Sequence, residues 1–84
     1  MSLVLDLHSI FRVDRDIDSA VRGVIFKAVR TGEPLVEIIP GKGSGQLRKR
    51  VLALLGQQHL KKLYHRVEED PKNSGRILVH FRRP

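Results

Sequence analysis

The sequence predicts a two-layer α/β (α+β) sandwich with the element order βαβαββ. Three observations predict it: short apolar runs alternate with two helical patterns, a glycine-rich turn follows the second apolar run, and a polar turn separates the last two runs. Because two helices can cover only one face of a sheet, we expect a mixed four-stranded sheet with both helices on one side and its first two strands parallel. The 84 residues suffice for one small domain, which we place at residues 3–82.

The first strand is predicted at residues 3–8, where the side chains that share a face alternate along the chain. One face would carry three leucines, and the other would carry Val4, Asp6 and His8. Asp6 and His8 are therefore expected to point the same way at the end of this strand.

The first helix has the most regular pattern in the chain. Asp14 or Asp16 can cap its start, and Thr31-Gly32 followed by Pro34 ends it. Between these limits the apolar residues recur three and four positions apart: Ile17, Ala20, Val21, Val24, Ile25, Ala28 and Val29.

The remaining elements follow at short intervals. The later strands are expected at residues 35–39, 63–67 and 76–82, the last two joined as a hairpin by a polar turn at residues 68–75. Gly56 is expected to end or weaken the second helix. That helix is marked by an apolar stripe of Leu47, Val51, Leu54 and Leu55.

Positive charge is concentrated in one part of the chain. The formal net charge is +7, from 16 basic and 9 acidic residues. Residues 41–66 contain seven of the basic residues and none of the acidic ones, so the charges of the rest cancel. This distribution favours a binding face for a polyanion over the alternative, a solvated basic surface.

The composition also excludes several classes of protein. There is no cysteine, which excludes disulfides and thiolate metal sites. No apolar run is long enough to span a membrane, and no signal peptide is recognisable. We therefore expect a cytoplasmic protein with no membrane partner.

A glycine-rich turn joins the second strand to the second helix. Glycines let backbone N–H groups approach an anion, and the start of a helix favours negative charge. The spacing is not that of a Walker A loop or a dinucleotide fingerprint, and a turn that needs glycine only for its backbone shape is the alternative. We expect phosphate contacts from Gly41, Lys42, Gly43, Ser44, Gly45, Arg48, Lys49 and Arg50.

Asp6 and His8 form a candidate acid–base pair. A carboxylate beside an imidazole can fix its tautomer and hold its pKa near neutrality, which suits proton transfer in phosphodiester cleavage. The alternative is an aspartate that binds loop amides and a histidine that packs at a rim. No carboxylate cluster supports a two-metal mechanism; a single divalent cation such as Mg²⁺ at Asp6 stays compatible with the sequence, and we expect no small-molecule cofactor.

These motifs together resemble the small MutS-related (Smr) domain family. The matching motifs are Leu5-Asp6-Leu7-His8, Gly41-Lys42-Gly43, Gly45-x-Leu47-Arg48 and Gly75-x-Ile77-x-Val79. The resemblance covers nearly the whole chain, and it implies a βαβαββ fold similar to the C-terminal domain of translation initiation factor three. It also implies a nucleic-acid partner, DNA or RNA, and several family members are endonucleases. The chain departs from the usual family pattern at Ser9, where glycine is usual, and at Pro40, where histidine or threonine is frequent.

Two functions follow as hypotheses. In a nicking endonuclease His8 would transfer a proton, Asp6 would orient it, and Lys42 would stabilise the developing negative charge. A non-catalytic module that binds nucleic acid or ribosomal RNA would need the basic face but not His8. A third hypothesis is an adaptor that binds an unidentified protein through the helix-free face of the sheet, which would carry Arg76, Leu78 and His80.

Overall fold

The computed structural model describes residues 2–7, 14–40, 45–70 and 76–81. Within these ranges four strands form one sheet, and the helices pack against it. The elements in chain order are β1 (Ser2–Asp6), α1 (Asp14–Thr31), β2 (Leu35–Ile39), α2 (Gln46–Leu55), α3 (Gln58–Lys61), β3 (Arg66–Glu69) and β4 (Ile77–His80).

The sheet is mixed, with the strand order β1-β2-β4-β3. β1 and β2 pair in parallel, and β4 lies between β2 and β3, antiparallel to both. β1, β2 and β3 therefore run in the same direction and end on the same side of the sheet. We call this side the carboxyl end of the sheet; it is marked by Asp6, Ile39 and Glu69. The predicted fold class, the parallel first pair and the terminal antiparallel pair are confirmed.

The core lies between the helices and one face of the sheet. The side chains that β2 and β4 direct to this face are fully buried, and so are those of the facing helices. The opposite face is solvated, since Val4 in β1 is 57% exposed. Residues with no exposed surface include Val36, Ile38, Ile77 and Val79 from the sheet and Val21, Ile25, Ala28, Val51 and Leu60 from the helices.

The predicted apolar stripe of α1 is confirmed except at its last member. Ile17, Val21, Ile25 and Ala28 are buried, whereas Val29 is 47% exposed. With 3.6 residues per turn, Val29 lies at the margin of the stripe, on the side that turns away from the sheet. The helix ends at Thr31, and Gly32 follows in the left-handed conformation with φ of 74°, as the Thr-Gly stop predicts.

The prediction of the third strand at residues 63–67 was wrong in position. A one-turn helix, α3, occupies Gln58–Lys61 and is anchored by the fully buried Leu60. Leu63 and Tyr64 then lie in the connection, partly buried against the core, and β3 begins only at Arg66. Glu68 and Glu69, which the sequence placed in a turn, belong to this strand.

The first and last strands of the chain are shorter than the sequence predicts. β1 ends at Asp6 rather than at residue 8, and Leu7 is fully buried beyond it. β4 covers Ile77–His80; Phe81 leaves the strand and donates its backbone N–H to the Pro34 carbonyl at 2.9 Å. His8 and Arg82 lie outside the described residues.

Candidate nucleic-acid interface

The parallel pair of strands brings Asp6 and the end of β2 together at the carboxyl end of the sheet. Asp6, the last residue of β1, lies in register with Ile39, the last residue of β2. The Asp6 residue is exposed to solvent, and Ile39 is followed by the buried Pro40. The chain is described again from Gly45, immediately before α2. Asp6 therefore lies beside the strand that leads into the glycine turn.

The start of α2 depends on the backbone of Gly45. This residue has φ of 87° and ψ of −2°, a left-handed conformation that glycine adopts without steric cost. Its carbonyl accepts the first helical hydrogen bond, from the Lys49 N–H at 3.0 Å. Among the described residues no side chain caps this end, and the first turn contains no acidic residue. The leading N–H groups of α2 can therefore serve an acceptor from outside the helix.

Arg50 is held by α1. Its Nε and Nη2 donate hydrogen bonds to the two carboxylate oxygens of Asp18, at 3.1 and 2.9 Å. In this bidentate geometry, two nitrogens of the guanidinium each donate to one oxygen of the carboxylate. The Asp18 side chain is only 20% exposed, so the pair lies partly within the helix–helix contact.

Arg48 is held by the sheet. Its Nη2 donates to Oε1 of Glu69, the last residue of β3. Its Nε is buried and has no hydrogen-bond partner among the described residues. Arg48 thus reaches from the first turn of α2 to the carboxyl end of the sheet, with one donor position unsatisfied.

Lys49 differs from both neighbours. Its side chain is exposed, and within the described ranges no acidic group pairs with it. Two of the three consecutive cations of α2 are therefore partly neutralised by acids from outside the basic stretch, and Lys49 presents its charge to solvent. The charge pattern of residues 41–66 alone does not show this pairing.

The components at the carboxyl end lie on both faces of the sheet. Strand alternation puts Asp6 on the face of the exposed Val4, whereas Leu3 and Leu5 pack toward the helices. Arg48 lies on the helix-covered face, where it meets Glu69. A ligand that contacts Asp6 and Arg48 together must pass over the end of the sheet.

The helix-free face carries residues that the adaptor hypothesis names. Arg76 Nη1 lies 3.9 Å from Oε1 of Glu37, and His80 Nε2 lies 3.1 Å from Oε1 of Glu68. Leu78 is partly buried between these pairs, in register with Glu37 and Glu68. On this face Arg76 is thus paired with Glu37, and His80 lies within hydrogen-bond distance of Glu68.

Several predicted site residues lie outside the described part of the chain: His8, Gly41, Lys42, Gly43 and Ser44. Asp6, Gly45, Arg48, Lys49 and Arg50 are described, as above. The sequence analysis missed Asp18 and Glu69, the acidic partners. The sequence indicates only that any acidic partner of Arg48 or Arg50 must come from outside residues 41–66, which contain no acid.

Neither a metal centre nor a membrane-spanning helix is found in the described part of the chain. Among them, no group of three or more histidine, cysteine, aspartate or glutamate side chains is arranged to hold a metal ion. None of the helices in the described ranges has both the length and the apolar character that a membrane crossing requires.

The fold and the site together define a small α/β domain with a mixed sheet, in which Asp6 and the Arg48–Glu69 pair lie at the carboxyl ends of the two edge strands. The family model of the Smr domain matches residues 5–82, and the chain belongs to the Smr-domain family. The crystal structure of the Smr domain of Thermus thermophilus MutS2 is similar, with a TM-score of 0.74 over 98% of this chain and 98% of that chain. At 19% sequence identity this similarity shows the fold alone. A comparison with curated proteins finds no significant match.

Proposed function

We propose that this Smr domain binds the phosphodiester backbone of DNA or RNA at the carboxyl end of the sheet, and that it cleaves that backbone as an endonuclease. The parallel register of Asp6 with Ile39 is the observation that carries the proposal. It brings the strand with the Asp-x-His motif beside the strand that leads to the glycine turn. Membership of the Smr family supports the same choice of ligand.

In this proposal the chemistry comes from three side chains. His8 either takes a proton from the oxygen that attacks phosphorus or gives one to the oxygen that leaves it. Asp6 orients the imidazole. Lys42 stabilises the negative charge that develops on the phosphate, together with backbone N–H groups of the turn. The start of α2, which no described side chain caps, would supply further donors for a phosphate.

The positions of Asp6 and Arg48 suggest the path of the substrate. Asp6 lies on the solvated face, and Arg48 lies on the helix-covered face. A nucleic-acid backbone that crosses the end of the sheet would meet Asp6 and then α2. Lys49, exposed on α2, would add a contact to a neighbouring phosphate.

A non-catalytic binding module is the second candidate. The separation of Asp6 from the Arg48–Glu69 pair favours it: Asp6 ends β1, Glu69 ends β3, and these strands are the opposite edges of the sheet. Backbone binding by α2 needs neither Asp6 nor His8. In that case the domain would hold structured nucleic acid or ribosomal RNA through the turn and α2 alone.

Cleavage assays separate the two candidates. The purified chain is incubated with supercoiled plasmid and with a structured RNA, with and without Mg²⁺, beside the variants His8→Ala and His65→Ala. His65 is an exposed histidine outside the carboxyl end of the sheet, so it serves as the matched control. Cleavage that His8→Ala removes and His65→Ala retains would support the endonuclease.

The same assay can contradict the proposal. Cleavage that survives His8→Ala would place the reaction elsewhere or assign it to a contaminant. Binding without cleavage under all conditions would favour the binding module, and the absence of both would contradict the nucleic-acid function.

A further inference from the structure

Arg48 and Arg50 lie two positions apart on α2, but their guanidinium groups are satisfied to different degrees. Arg50 donates from Nε and Nη2 to both oxygens of Asp18. Arg48 reaches one oxygen of Glu69 through Nη2, and its Nε is buried with no hydrogen-bond partner in the described ranges. The first pair is complete, and the second is not.

In an incomplete pair of this kind, another oxyanion can replace the carboxylate on the arginine. A guanidinium presents its donors in a rigid fork that matches two oxygens of a carboxylate or a phosphate. Leaving the Nε donor of Arg48 without an acceptor is unfavourable, so a ligand that satisfies Nε and Nη2 together would bind better than Glu69 does.

The surroundings of the pair allow that exchange. The Arg48 side chain is 35% exposed and that of Glu69 is 45% exposed, so solvent reaches both side chains. The buried Nε would meet an oxyanion only after the Glu69 carboxylate moves away. Glu69 is the last residue of β3, and it can turn toward solvent without breaking a strand pair. Arg48 also lies in the first turn of α2, where no side chain from the described ranges caps the helix.

We propose that Glu69 is an internal counterion, which occupies Arg48 in the free protein and is replaced by a backbone phosphate when nucleic acid binds. This inference rests on the proposed function and adds to it a division of roles. Arg48 is the arginine that binds phosphate, Arg50 ties α2 to α1, and Glu69 lowers the affinity for weakly bound polyanions.

A double-mutant cycle on binding tests the proposal. The affinities of wild type, Glu69→Gln, Arg48→Ala, Arg50→Ala and the two double variants that combine Glu69→Gln with either arginine substitution are measured by anisotropy. The probes are a fluorescein-labelled duplex DNA and an RNA hairpin. Asp16→Asn is the charge-matched control, because Asp16 is exposed and forms no ion pair with the described residues. Thermal unfolding shows that each variant is folded.

Because exposed ion pairs are weak, we expect Glu69→Gln to bind about two- to fivefold more tightly than Asp16→Asn. The gain should disappear when Arg48→Ala is added and should persist when Arg50→Ala is added instead. A gain equal to that of Asp16→Asn, or one that survives Arg48→Ala, would overturn the exchange while leaving the proposed function intact. Failure of the wild type to bind either probe would instead contradict the proposed function, and the exchange with it.

Discussion

Arg50 and Asp18 join the two long helices through two hydrogen bonds, from Nε to Oδ1 at 3.1 Å and from Nη2 to Oδ2 at 2.9 Å. The residues are 32 positions apart in the sequence, so the pair forms only when α2 packs beside α1. It is therefore a tertiary contact whose contribution to stability can be measured.

Replacing Asp18 by alanine should lower the free energy of unfolding by about 1 kcal/mol more than replacing Asp16 does, since a partly exposed ion pair contributes no more than this. Asp16 lies on the same helix near the same end and has no ion-pair partner in the described part of the chain. Urea unfolding followed by circular dichroism measures both variants. Equal losses would show that the pair does not stabilise the helix contact.

Tyr64 closes the end of α2. Its hydroxyl donates to the Leu55 carbonyl at 2.7 Å, and Leu55 is the last residue of that helix. A carbonyl at the end of a helix has no N–H partner within the helix. Loss of the tyrosine hydroxyl in Tyr64→Phe should therefore lower the free energy of unfolding by about 1 kcal/mol. A loss near zero in urea unfolding would mean that water replaces the hydroxyl at no cost.

The same tyrosine should make stability depend on pH in the alkaline range. Burial raises the pKa of the Tyr64 phenol above its ordinary value of 10.0. The folded protein then keeps a proton that the unfolded chain loses, so this contribution is complete below pH 10.0 and falls as the pH rises above it.

Absorbance can follow this titration without interference, because the chain has one tyrosine and no tryptophan. We expect a higher midpoint for the native protein than for the protein in urea, and no alkaline loss of this origin in Tyr64→Phe. A native midpoint at or below that of the unfolded chain would contradict the effect of burial.

Replacing Gly23 or Gly45 by alanine should change the stability of the protein in opposite directions. Gly23 lies inside α1, and a Cβ built there meets no atom within 4 Å, so Gly23→Ala should stabilise the protein by about 0.5–1 kcal/mol. Gly45 has equal space but φ of 87°, and a side chain there should cost about 1–2 kcal/mol. Melting temperatures that move in the same direction for both variants would contradict this assignment.

The fold was predictable from the sequence where the signal is local. The stripe of α1 and its Thr-Gly stop depend on neighbours within a few turns, and the observed bounds agree with both. β3 was misplaced because α3 is a single turn with one buried residue, Leu60, a pattern too short to distinguish from a strand. Tertiary packing of Leu60 decides the local structure there.

The electrostatics of the site were less predictable, for a similar reason. Glu69 meets Arg48 from 21 positions away, and Asp18 meets Arg50 across the helix contact. A charge pattern counts residues along the chain, whereas ion pairs depend on which elements become neighbours. Lys49, with no such partner in the described ranges, keeps the exposure that the pattern suggests.

The affinity of the wild-type protein for a labelled duplex DNA and an RNA hairpin, measured at about 50 and about 200 mM salt, tests the proposed backbone binding most directly. We expect binding that weakens steeply with salt, with a log–log slope of about −0.9 for each phosphate neutralised on duplex DNA. Arg48→Ala should make that slope shallower by about one such contact. An absence of binding to both probes, or an affinity that does not change with salt, would contradict a phosphodiester-binding surface at the carboxyl end of the sheet.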